Sequence, residues 1–189
     1  MENAAIELSN NDFKVDVITF HETWTGSEIR GENFTVHRVK NPVGSHVNVL
    51  TWALTLGTEM QRVATDILAK DSEDAKMVHA SEWLCVAPAI QLKLILGIPF
   101  TLSLYSTEAE RSPGGPLNSS ISYLEREGCA EAIWIFTRNE KTRDMIQKSY
   151  NVSSNRVLLF DSTSRPLAYA LRRAAAELTI PGVNMSRRK

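Results

Sequence analysis

Two stretches of this chain place chemically capable side chains directly after short apolar runs. The first is His79-Ala80-Ser81-Glu82-Trp83. The second is Tyr105-Ser106-Thr107-Glu108, with Arg111 three residues further on. An imidazole such as His79 can hold a ligand hydroxyl or move a proton near neutral pH, although a core histidine bonded to backbone is the favoured reading here. Glu82 stands where a carboxylate could cap a following helix against its free N–H groups. Tyr105 can stack on a ligand face or fill a core gap, but with a pKa of about 10 it cannot act as a base at neutral pH. Glu108 and Arg111, spaced i and i+3, either pair with each other or serve a ligand, and the two readings weigh equally. Gly114-Gly115 after Pro113 makes a turn; a phosphate-cradling role for it is weak, because no helix-start lysine follows.

Strands alternating with helices must carry these residues. Lys14–Phe20 and Phe34–Val39 read as strands, with His21–Asn33 a polar loop between them. Ser45 is a candidate cap for a long helix over His46–Lys70, whose apolar positions follow a helical stripe. Met77–Ala80 (strand), Trp83–Leu96 (helix) and Pro99–Tyr105 (strand) come next. Arg111–Ser120 is a loop, Ile121–Gly128 a helix, Ala130–Thr137 a strand, Asn139–Tyr150 a helix and Arg156–Asp161 a strand. Ser162–Pro166 is a helix-start signal ahead of an apolar stripe from Leu167 to Leu178. This alternation predicts an α/β fold: a doubly wound, mainly parallel sheet of five or six strands flanked by helices. Continuous apolar runs such as Ala132–Phe136 suit strands buried on both faces. Ligands bind at the carboxyl ends of the strands in such a sheet, which is where both polar stretches fall.

At 189 residues and a net charge of −1, the chain suits one domain and offers no broad electrostatic surface for nucleic acid or anionic membrane. No apolar run is long enough to span a bilayer, and the first residues lack a signal-peptide layout. Cys85 and Cys129 have no metal-like spacing and read as buried free thiols in a cytoplasmic protein. His21-Glu22 lacks a second His or Cys at helical spacing, so no metal is expected, nor any cofactor. Trp24 and Trp52 could form a ligand platform or a partner contact.

The motifs resemble the N-terminal domain of GT-B glycosyltransferases, and most closely glycogen and starch synthases and the group 1 retaining transferases. The family pattern D-x-V-H-x-H-D/E-W falls on Met77–Trp83. G-I/V-P followed by T-x-H-x-T-E-x-x-R falls on Gly97–Arg111. Gly114-Gly115, a helix bearing Glu125, the Ala130–Thr137 strand, Arg143–Ile146 and Asn151–Phe160 continue the likeness. It implies a Rossmann-like domain over residues 1–161, lacking the family's usual first strand, followed by a helix packed on the same domain and a basic tail over 162–189. It also implies a sugar or glycan ligand at His79, Ser81, Glu82, Tyr105, Glu108, Arg111, Gly114 and Gly115.

Departures from the family pattern shape the functional expectation. Ser81 stands where glycogen synthases carry an imidazole at the reaction centre, and Tyr105 where many group 1 transferases carry another. The donor-binding domain of the family has no counterpart in these residues. The expectation is therefore a glycosyltransferase-like binding or oligomerisation module without independent activity and with no catalytic residues. The alternative is the acceptor half of a split transferase, completed by a donor-domain partner. The missing strand would lie between Val15–Phe20 and Met77–Ala80. Either those strands close up and pair, or a second chain covers their exposed edges; a homodimer is expected.

Overall fold

The computed structural model describes residues 2–70, 77–160 and 167–179. Helix α1 (Glu2–Ser9) leads into strands β1 (Val15–Phe20), β2 (Gly26–Gly31) and β3 (Phe34–Val39), then the long helix α2 (Val49–Lys70). A strand–helix alternation follows: β4 (Val78–Ser81), α3 (Val86–Leu96), β5 (Phe100–Ser103), the short α4 (Glu108–Arg111), α5 (Asn118–Glu131), β6 (Ile135–Thr137), α6 (Glu140–Ser149), β7 (Val157–Leu159) and α7 (Leu167–Thr179).

The main sheet is entirely parallel, in the order β4-β5-β6-β7. Every residue of β5 is buried, as expected of a strand covered by helices on both faces. Phe100, Leu102, Leu104 and Ile135 are fully enclosed with Val86, Cys129 and Ile146. Each large apolar side chain so buried contributes roughly 1.5–3 kcal/mol. Helix α3 is apolar on nearly all sides and packs against α2, α5 and the sheet. It ends at Gly97, whose φ of 70° forms a left-handed cap with its N–H bonded to the Lys93 carbonyl at 2.9 Å. On a second cluster, Leu167, Ala170, Leu171 and Ala174 of α7 pack with Phe136 and Phe160.

The expected fold class holds, but the single sheet of five or six strands does not. Val15–Phe20 belongs to a separate three-stranded sheet in the order β1-β3-β2, with β1 parallel and β2 antiparallel to β3. β1 pairs with β3 over its full length, from Val15 opposite Phe34 to Phe20 opposite Val39. Among the described residues β1 has β3 as its one strand neighbour and β4 has β5, so the two strands do not close up on each other. β1 is half-buried rather than buried, with α1 and α2 packed beside it.

Several boundaries also differ. Gly26–Gly31, expected as loop, is an edge strand; it is polar and largely exposed, so it carries no apolar signature. α2 starts at Val49, and its cap is Asn48, whose Oδ1 accepts the Thr51 N–H at 3.0 Å, not Ser45. α5 runs through Glu131, which shortens the following strand to three residues. Asp161, the Ser162–Pro166 helix-start signal, the 161/162 boundary and the basic tail lie outside the described residues.

One contact limits how α5 approaches the sheet. A Cβ on Gly128 would stand 2.6 Å from Val86 Cγ2 and 3.1 Å from Leu102 Cδ2. Both neighbours are fully buried, so neither can move away without disturbing the core. Gly128→Val is expected to lower unfolding free energy by about 2 kcal/mol or more, measured as a shift in the denaturant midpoint with an unchanged m-value.

Candidate functional site

The carboxyl ends of β4 and β5 carry the polar residues singled out by sequence. The register sets His79 beside Thr101 and Ser81 beside Ser103. Alternation puts all four side chains on one face. The imidazole therefore lies between two hydroxyls: its Nδ1 is 2.8 Å from Thr101 Oγ1 and its Nε2 is 3.2 Å from Ser103 Oγ. His79 is thus a structural histidine, as favoured, but its partners are side-chain hydroxyls rather than backbone. Burial pushes its pKa down to about 4, so the ring is neutral at physiological pH.

Glu82 does not cap the next helix. Its backbone has φ 66° and ψ 168° and makes no side-chain cap bond. Instead, its carboxylate reaches across to the chain just beyond β5, where Oε1 accepts the Tyr105 N–H at 2.8 Å. Oε2 stands 3.5 Å from Arg111 Nη1. Burial raises the Glu82 carboxyl above the usual range, with the Tyr105 N–H and Arg111 pulling the other way.

Beyond β5 the chain turns into α4 through a reciprocal cap. Glu110 Oε2 accepts the Thr107 N–H at 2.8 Å and lies 3.1 Å from the Thr107 hydroxyl. The Thr-x-x-Glu spacing of Thr107–Glu110 was visible in the sequence as a capping-box signal, though this segment reads there as strand end and loop. Burial alone would raise the Glu110 carboxyl, but bonds from Thr107 and Thr142 and the nearby Lys141 outweigh it and hold it low.

Arg111 sits at the centre of this edge. Its Nη2 is 2.5 Å from Glu125 Oε1 and 3.1 Å from Glu108 Oε2, and its Nη1 is 2.5 Å from the Ser106 carbonyl. The i, i+3 pairing of Glu108 with Arg111 therefore exists, within a larger network. Glu125, fully buried on α5, also accepts the Glu108 N–H at 2.9 Å and the Tyr150 hydroxyl at 2.5 Å. Burial and the Glu125 carboxylate push the Tyr150 phenol strongly upward, so it stays protonated and donates to Glu125.

Tyr105 stacks, as one reading of it allowed, but on protein. Arg138 lies over its ring at 4.4 Å, and the Phe160 ring is 5.9 Å away. Sequence reading missed Arg138; a lone arginine after a strand carries no local signature. Gly114-Gly115 forms a turn closed by the Gly115 N–H on the Ser112 carbonyl, with the Asn118 amide bonded to that same carbonyl at 3.0 Å. Trp24 packs edge-on to His21 and Trp52 edge-on to Phe20, with no ring contact joining the two tryptophans. His21 Nδ1 accepts the Trp24 N–H. Among the described residues no set of three His, Cys, Asp or Glu side chains could hold a metal. No described helix is long and apolar enough to cross a membrane.

Comparisons with known proteins agree with this geometry. No known family profile matches the chain. An uncharacterised glycosyltransferase of Methanocaldococcus jannaschii is 29% identical over 153 residues, spanning 79% of this chain and 37% of that protein. This chain thus covers little more than a third of the length of the curated relative it matches. In fold, a sucrose-phosphate synthase chain from Thermosynechococcus elongatus superposes with a TM-score of 0.71 at 9% identity, covering 95% of this chain and 93% of that one. The chain therefore shares the Rossmann-like α/β fold of that synthase chain, and its sequence is similar to part of that glycosyltransferase.

Two outcomes are expected from this network. Glu125→Ala leaves the Glu108 N–H and the Tyr150 hydroxyl without their acceptor and removes one of the acceptors of Arg111, and should cost about 3–5 kcal/mol of stability, with Glu125→Gln costing less. Because the folded-state pKa of His79 lies below its unfolded value, the unfolded chain binds more protons between pH 6.5 and about 4. Stability should therefore fall on acidification, by roughly 2 kcal/mol from pH 7 to pH 5. Denaturant titrations at both pH values check this, and His79→Gln should flatten the difference.

Proposed function

We propose that this chain is a binding module of glycosyltransferase type that takes a sugar-containing ligand over Ser81, Glu82, Tyr105, Glu108 and Arg111 and does not itself transfer a glycosyl group. One observation carries the reading: the polar groups of the edge are already engaged with one another. Both His79 ring nitrogens are held by hydroxyls, and Arg111 is surrounded by Glu82, Glu108 and Glu125. Ser81 and Tyr105 stand where the resembled enzymes place imidazoles. The free thiols Cys85 and Cys129 fit a cytoplasmic setting. The open edges of β1 and β4 support a homodimer, as does the exposed position of Leu54 on α2.

A second reading has support in the longer relative of M. jannaschii, of which this chain matches 37%. Here the chain is the acceptor half of a transferase whose donor half lies on further sequence. Calorimetry with UDP-glucose and ADP-glucose separates the readings. No micromolar binding to this chain is expected, and tight binding of either nucleotide sugar would refute the module reading. Turnover appearing on addition of a donor-half protein would favour the split enzyme. Sedimentation showing a clean monomer at micromolar concentration would remove the dimer.

A further inference from the structure

We propose that Ser27, His37 and Asp16 form a nucleophile, base and carboxylate in series on the three-stranded sheet, and that Ser27 takes the acyl group of a carboxylic ester. These residues lie on a different sheet from β4 and β5, so the site is independent of any ligand at the strand ends.

The fold brings the three side chains together by register. Phe34 and Val36 of β3 turn inward with Val15, Val17 and Ala5. Alternation therefore puts His37 and Asp16 on the opposite face. Ser27 of β2 stands directly across from His37, and so joins that face. The Ser27 hydroxyl is 2.8 Å from His37 Nδ1, and His37 Nε2 is 2.7 Å from Asp16 Oδ1. A carboxylate only accepts, so in the neutral imidazole the proton sits on Nε2 and the Nδ1 lone pair faces the hydroxyl. This is the arrangement that activates a serine, recognised by geometry and roles rather than by chain order.

Access is graded along the series. Asp16 and His37 are largely covered, with side-chain exposures of 22% and 14%, whereas Ser27 is exposed on the edge strand. The reacting oxygen thus meets solvent while its base is held from behind. Along an edge strand every second N–H points away from the sheet, so one of the Ser27 and Glu28 N–H groups faces the open edge of β2 and can receive an oxyanion. Ile29 shares the face of Ser27 two residues on and is 80% exposed, which offers an apolar acyl group a surface. Glu28 and Arg30 pair with each other at 2.8 Å.

In the reaction, Ser27 Oγ adds to the ester carbonyl carbon as its proton passes to His37 Nδ1. Asp16 holds the resulting imidazolium through Nε2–H. The bond from carbonyl carbon to alcohol oxygen then breaks, and the alcohol leaves with the proton from Nδ1. Water repeats the sequence on the acyl-serine, returning the proton to Ser27 Oγ and releasing the carboxylic acid. Ester and water give acid and alcohol, with no redox change.

The test treats the full chain with an alkyl fluorophosphonate and with p-nitrophenyl acetate and hexanoate. The expected adduct, formed as an Oγ–P bond replaces P–F, maps to the Ser27 peptide by mass spectrometry. Ester turnover should fall about a hundredfold or more in Ser27→Ala and in His37→Gln. Asp16→Asn should lower kcat about tenfold or more with KM little changed, as expected of a positioning residue. Unchanged thermal midpoints would show that the variants fold. The hexanoate should turn over with the lower KM, and equal KM values would overturn the apolar-acyl assignment. If the fluorophosphonate leaves Ser27 unlabelled, or if Ser27→Ala hydrolyses either ester like the parent, the proposal is overturned.

Discussion

A carboxylate taken fully out of water is tolerated only when its oxygens are met by donors, and Glu125 is such a group. Its two oxygens accept from the first N–H of α4, from Arg111 at the last residue of α4, and from Tyr150 just past α6. Two segments that follow different strands, α4 after β5 and the end of α6 after β6, are thereby fixed to one side chain on α5. The position of Arg111 depends on this anchor, and through Arg111 so does the position of Glu82. The strand-end surface is thus shaped from beneath, by a buried charge, and not only by the apolar packing of the sheet.

The same closure extends to the other polar groups of the strand ends. Burial keeps His79 neutral between hydroxyls on β5, and acidic neighbours hold Arg111. Groups restrained in this way are held in fixed positions relative to one another. Arg138 is different in kind. It is supported by rings rather than by charge, so its charge is not cancelled by its supports.

Much of the main sheet was legible because its strands are continuous apolar runs punctuated by Gly97-Ile98-Pro99 and by turn residues. Phe34–Val39 coincides with its expected strand. β2 was not legible, since Gly-Ser-Glu-Ile-Arg-Gly is exposed on an edge and needs no apolar face. The division into two sheets was also hidden, because hydrophobic pattern reports burial and not which strand is the neighbour. At the site, the residue types were readable but their partners were not. Glu82 meets the Tyr105 N–H across 23 positions of sequence, and Arg111 meets Glu125 across 14. Contacts of that span follow from strand register and helix placement, which no local spacing encodes. The short-range devices, the Thr107–Glu110 cap and the Glu108–Arg111 pair, were there to be read.

Glu82 adopts a backbone conformation, φ 66° and ψ 168°, that is almost confined to glycine and costs of order 1–3 kcal/mol for other residues. Glycine would remove that strain, yet it has no carboxylate for the Tyr105 N–H or for Arg111. No amino acid satisfies both demands, so the position is a compromise between local backbone energy and a distant network. The two demands make positions 82 and 111 epistatic. Glycine at 82 is disfavoured while the Tyr105 N–H and Arg111 both need its carboxylate, and less so once Arg111 has been replaced by an uncharged residue. Sequence drift at this edge is therefore expected to proceed by paired steps, and the order in which they occur is constrained by a dihedral angle.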